Sequence, residues 1–228
     1  MALRDHSAGV HLGLMLALTF STGVVDALGY LGLDRVFAGN MTGNVVILAM
    51  ALTGADGLPV VGPLVALALF VVGAIVAGRT LRGIPAGWSS RTTGLVLGVG
   101  AVLLVVAVAA FVAPEPPAWL EYGITGALGL AMGCQAGAAR HLGVSDVTTV
   151  VVTSTLVGLA FDSRAGRGAA GHPWMRRVGA ILLLMAGAAA GALLLRLGLG
   201  WPALAAALIA VAVAVVGAVG RPHDAGRA

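Results

Sequence analysis

The sequence predicts an all-α polytopic membrane protein. Hydrophobic residues make up 59% of the 228 and charged residues only 10%, against about 25% charged in soluble domains. Mean hydropathy is +1.03. The few charges cluster between apolar runs of about 20 residues, the length a helix needs to cross a bilayer. Residues 1–228 read as a single membrane domain with no soluble domain or low-complexity tail.

Eight apolar stretches follow one another, at roughly 9–33, 36–54, 58–81, 94–113, 123–143, 145–163, 178–198 and 201–219. The first follows Arg4 without a short cleavable core and reads as a retained span. Its one carboxylate is Asp26, in Thr22-Gly23-Val24-Val25-Asp26-Ala27. The second carries a polar break, Asn40-Met41-Thr42-Gly43-Asn44, flanked by Gly39. The third ends at Arg79 and Arg82 before Pro85-Ala86-Gly87; the fourth opens on Gly94-x-x-x-Gly98 and stops at Pro114-Glu115-Pro116-Pro117.

The fifth stretch contains the lone cysteine, Cys134, which can form no internal disulfide, and beside it Gln135, with Arg140 and His141 at its end. Ser145 and Asp146 open the sixth in the manner of an N-cap, ahead of Thr148, Thr149, Thr153, Ser154 and Thr155. An Arg-rich loop, 164–177, leads to the seventh, and Gly200-Trp201-Pro202 to the eighth. All four tryptophans (Trp88, Trp119, Trp174, Trp201) fall in or beside loops, where an aromatic belt places them.

The chain repeats itself. Gly32 aligns with Gly143, and Met41-Thr42-Gly43-Asn44 with Val152-Thr153-Ser154-Thr155; further on, Gly73-x-x-x-Ala77 matches Gly187-x-x-x-Gly191. The halves are 1–113 and 114–228, with four stretches each. Such duplication is the usual construction of secondary carriers.

Loop charge separates two architectures. Eight full crossings in a parallel repeat put loops 82–93 and 164–177 on opposite faces. Both are basic, holding Arg82 and Arg91 in one and Arg164, Arg167, Arg176 and Arg177 in the other, and basic loops belong in the cytoplasm. The preferred arrangement has six spans, with 36–54 and 145–163 re-entrant or broken, so that the halves are inverted. Both termini are then cytoplasmic, and the two polar breaks approach the midplane from opposite faces. Arg79 and Arg196 snorkel to the interfaces.

A desolvated carboxylate at Asp26 suits proton or cation coupling, though it also suits bonding to the backbone of a broken helix. Asn40, Thr42 and Asn44, with Gly43 between them, offer amide and hydroxyl groups that replace water around a solute or ion. The structural alternative is interhelical hydrogen bonding, worth about 0.6 kcal/mol each. Gln135, Thr149, Thr153 and Thr155 make up the second-half counterpart. Arg140 pairs with Asp26 or Asp146, or simply marks the interface. Gly94-x-x-x-Gly98 and Gly187-x-x-x-Gly191 read as small-residue faces for tight packing or a homo-oligomer.

Composition argues against other classes. No basic run with interleaved aromatics points to nucleic acid. The five histidines lack metal-ligand spacing, and no Gly-x-Ser-x-Gly elbow, P-loop or dinucleotide fingerprint appears. Neither enzyme, metal nor cofactor is expected.

Gly23-x-x-Asp26-Ala27-x-x-Tyr30-Leu31, then Val36-Phe37-x-x-x-Met41-Thr42-Gly43-Asn44, resembles the bacterial YoaK family (domain of unknown function 1275). Met132-Gly133-x-Gln135 with Thr148-Thr149-Val150-Val151-Val152-Thr153-x-Thr155 resembles its second block, with Ala136 and Ser154 departing from the family's usual Asn and Gly. The resemblance implies a multi-span protein of the inner membrane and supplies no substrate. The function expected from these readings is a small secondary transporter or permease for an unknown small solute or ion. The alternatives are a structural or regulatory membrane module and, least favoured, an intramembrane enzyme.

Overall fold

A computed structural model of the chain describes residues 2–55, 57–143, 152–161 and 173–220. Every regular element among them is helical: α1 (Ala2–Gly32), α2 (Met41–Leu52), α3 (Val61–Thr80), α4 (Ser90–Val112), α5 (Ala118–Leu142), α6 (Val152–Phe161), α7 (Pro173–Leu195) and α8 (Gly200–Val219). Five of these, α1, α3, α4, α7 and α8, are long and apolar enough to cross a membrane. α5 has the length, with 25 residues, but mixes Glu121, Gln135 and Arg140 into its sequence and sits largely inside the bundle. α2 has only 12 residues, about 18 Å of helix against a hydrocarbon core of about 30 Å.

The helix starts depart from the apolar boundaries where caps decide them. Ser89 and Thr92 form a reciprocal capping box, so α4 begins at Ser90, four residues before the stretch read from hydropathy. Residues 36–40 belong to the second apolar stretch but are not helical, because Asn40 caps α2 and starts it late. The N-cap expected at Ser145 and Asp146 lies outside the described residues.

Small residues fix the packing. Gly187 and Gly191 of α7 seat directly on the backbone of Phe20 and Val24 of α1, and Gly23 of α1 on the carbonyl of Leu184. The two helices therefore run parallel at van der Waals distance. α3 and α5 do the same: Gly129, Gly133 and Gly137 face Ala66, Phe70 and Ala77, while Gly73 faces the backbone at Leu130. The Gly187-x-x-x-Gly191 pair thus packs as its spacing predicts. Gly94-x-x-x-Gly98 makes no such contact within the chain: open space lies over both glycines. α4 instead packs antiparallel on α8 through Gly100, which meets Val211, and through Phe111, whose ring stands edge-on to Trp201 at 5.3 Å.

These contacts fix which helix ends lie together. The N-terminal part of α1, the end of α3, the start of α4 and the end of α8 share one end: His11 stacks near Trp88, Trp88 packs on Gly217, and Arg91 donates to the Thr80 carbonyl at 3.2 Å. α5 ends there and α7 starts there, since they run parallel to α3 and α1. Arg79, Arg82, Arg91, Arg140, Arg176 and Arg177 all belong to this basic end. The opposite end gathers Asp34, Glu115 and Glu121 with Arg35 and Arg196.

Between α1 and α3 the chain makes an excursion that begins and finishes at the opposite end. Val36 N–H donates back to Gly29 at 3.2 Å, Gly62 at the start of α3 packs on Val36, and Arg35 reaches the Gly57 carbonyl at 3.3 Å. α6 likewise runs from beside mid-α7 back toward the basic end, where Gly158 meets the Arg177 guanidinium.

Candidate functional site

Asp26 lies six residues before the end of α1, and its surroundings explain why an apolar helix keeps it. One oxygen, Oδ1, accepts the backbone N–H of Ala38 at 2.9 Å and of Gly39 at 2.7 Å. The returning loop of residues 36–39 is thereby held against the last turns of α1. The Ala38 and Gly39 N–H groups thus find a side-chain acceptor in place of a helical carbonyl. Gly39 permits the close approach: a Cβ there would meet the Thr22 methyl and both Asp26 oxygens.

Asn44 completes the clasp from the other side. Its Nδ2 donates to the Phe37 carbonyl at 2.6 Å, and its Oδ1 accepts the Phe37 N–H at 2.9 Å, a two-bond pairing of an amide side chain with one backbone residue. Asn44 is fully buried. Asn40 accepts the Gly43 N–H at 3.2 Å and caps α2. The Phe37 ring lies where a Cβ on Gly43 would sit, and stacks on Tyr30 with centroids 4.9 Å apart. Asn40 and Thr42 are exposed, Gly43 half-buried.

These groups wall a cavity of about 720 Å³ whose lining includes Asp26, Asn40, Thr42 and Gly43 together with Thr153 of α6 and Leu184 and Ala188 of α7. Thr153 is the residue that the repeat aligns with Thr42. Thr155, half-buried two residues on, does not line this cavity. Thr149 lies outside the described residues, as do Asp146 and Thr148.

Gln135 stands behind the cavity instead of in its wall. Buried in α5, it donates from Nε2 to the Thr22 hydroxyl at 2.9 Å and to the Leu18 carbonyl at 3.3 Å, while its Oε1 has no partner. Thr22, one helical turn before Asp26, links the two. Arg140 lies at the basic end of α5, away from Asp26, which bonds backbone amides, so the two do not pair; Asp146, the other partner considered, lies outside the described residues.

Thr22, Gly23 and Tyr30 were missed as neighbours of the site. Their spacing of three or four residues from Asp26 places them on its helix face, a signal that sequence carries. Leu184 and Ala188 carry none, because only the parallel docking of α7 on α1 brings them in.

Long apolar helices locked together by small residues, with polar groups turned inward around one cavity, define a multi-pass membrane protein. Residues 14–217 match the family described as "Protein of unknown function (DUF1275)", and the chain belongs to that family. It is similar to the UPF0700 transmembrane protein YoaK of Bacillus subtilis (strain 168), 32% identical over 153 residues that cover 65% of each chain. The match thus spans somewhat less than two thirds of that relative's length. No solved structure matches.

Proposed function

We propose that the protein is a small secondary permease of a bacterial inner membrane, for a small solute or ion, and that the cavity beside Asp26 is its transport site. One observation carries this reading: the polar break of the second stretch and its counterpart in the sixth line the same cavity, Thr42 facing it from α2 and Thr153 from α6. Carriers built from repeats place their sites where two broken segments meet.

Six crossings with inverted halves are part of the proposal. Exchanging the halves turns the parallel α1–α7 pair into the parallel α5–α3 pair, and the α1–α8 contact into α5–α4. The excursion between α1 and α3 returns to its own end of the bundle, and α6 returns toward the other. Both facts favour re-entrant segments over full crossings. The basic end, where both loops of excess arginine begin, is then cytoplasmic.

Asp26 couples ion binding to movement in this scheme. While ionised, its carboxylate holds the Ala38 and Gly39 amides. A proton or cation arriving from the cavity competes for the same oxygens, weakens the clasp and frees the returning loop to shift on α1. Replacement by Asn retains an acceptor for both amides but removes the charge. Asp26→Asn is therefore expected to fold, to melt within a few degrees of wild type, and to abolish dye-reported proton flux in proteoliposomes under an imposed pH gradient. Proton flux equal to wild type in the variant would overturn the role.

A structural or regulatory module is the second reading, favoured by one specific observation. The side chains of Asn40 and Asn44 are spent on the backbone of their own loop. On that reading Asn44→Ala destabilises the protein, and no gradient across the membrane moves protons or solute through the wild-type chain.

A further inference from the structure

α3 and α4 are consecutive in sequence yet scarcely touch along their length, and α5 lies behind the gap. The gap is a groove of about 380 Å³, floored by Leu130 and Cys134 of α5 and walled by Val76, Gly94 and Gly98. A Cβ built on Gly94 or Gly98 meets nothing within 4 Å, so two glycines that ordinarily bring helices together here leave a slot facing outward. Apolar lining, a width set by missing side chains and an opening on the surface fit a hydrocarbon chain.

The mouth of the groove supplies the charge. Arg91 lines it and bridges to the Thr80 carbonyl, which leaves most of its five N–H donors for another acceptor. Arg79 and Arg82 flank Thr80 in sequence, both exposed. No Asp or Glu occurs between residues 57 and 114, so these three cations meet no carboxylate of their own segment. They stand at the basic end of the bundle, level with the groove's polar rim.

We infer that this groove binds an anionic phospholipid, one acyl chain lying over Gly94 and Gly98 and the phosphate resting on Arg91. Each arginine near an anionic headgroup contributes roughly 1 kcal/mol, which is about a fivefold preference for one cation. The groove shares no lining residue with the Asp26 cavity and does not depend on the permease reading.

The test uses the full-length protein in a neutral detergent, with lipid retention read by native mass spectrometry and melting temperature as a second measure. Phosphatidylglycerol is expected to be retained about fivefold more than phosphatidylcholine and to raise the melting temperature. Arg91→Gln is expected to erase that preference, leaving both lipids equally held. Gly98→Leu fills the slot and is expected to lose both lipids while remaining folded; Gly94→Leu serves if it does not fold. Equal retention of the two lipids by wild type, an undiminished preference in Arg91→Gln, or a lipid bound as well in the filled variants would each overturn the inference. So would an equal melting shift from glycerol 3-phosphate, which has the phosphate and no acyl chain.

Discussion

Asn44 pairs with Phe37 through both of its amide atoms, closing a seven-residue span of chain across the start of α2. The pairing satisfies a backbone N–H and a backbone C=O with a side chain that is itself fully buried. Asn44→Ala leaves both unpaired, and each unsatisfied buried group costs about 1–3 kcal/mol. The variant should melt well below wild type in detergent. Asn44→Asp, when ionised, buries a charge and turns a carboxylate oxygen toward the Phe37 carbonyl, and should be at least as destabilising as Asn44→Ala.

The glycine contacts predict a sharp contrast between two similar motifs. Gly187 sits on the Phe20 backbone, which cannot retreat without moving α1. Gly187→Val should cost at least the 1–3 kcal/mol typical of overpacking. Gly98 sits in a helix interior and faces open space, so Gly98→Ala should be neutral or stabilise by up to about 1 kcal/mol. Paired thermal melts of the two variants check this.

Topology offers the most direct test of the inverted arrangement. Reporter fusions at Gly87 and Gly168 should report the same side of the membrane, and that side should be the cytoplasm. Opposite sides would establish eight crossings and a parallel repeat.

Gln135 and Thr22 join α5 to α1 behind the cavity. A double-mutant cycle with Gln135→Leu and Thr22→Val should give a coupling energy of about 0.6 kcal/mol and no more than about 1.7 kcal/mol, the average and the maximum for hydrogen bonds between membrane helices. A coupling near zero would mean that the bond contributes nothing to holding the two helices.

Much of the fold was legible because hydropathy and breakers act locally. The apolar stretches correspond to the helices, and Pro114-Glu115-Pro116-Pro117 separates α4 from α5 where proline forbids a continuous helix. Asp26 and the Asn40–Asn44 break stood out because each is costly in lipid. What each does was less legible. Side-chain oxygens that bond a ligand and those that bond a returning loop look alike in sequence, and only coordinates show that Asn44 is committed to Phe37. Gly94-x-x-x-Gly98 shows the same limit: the spacing reports a flat helix face but not whether a helix of the same chain lies against it. Nor does any local pattern announce that Leu184 and Ala188, over 150 residues away in the chain, complete the wall beside Asp26.

The parallel pairing of α1 with α7 sets a problem for synthesis. α1 leaves the ribosome about 140 residues before α7 is complete enough to meet it, a delay on the order of ten seconds at bacterial elongation rates. Throughout that interval the bare backbone face that Gly23 exposes stands in the bilayer without the helix that covers it. The newly inserted first half is therefore an open intermediate, and a nascent chain arrested before α7 should be a preferred substrate for membrane proteases and insertion chaperones, whereas one arrested after α8 should not.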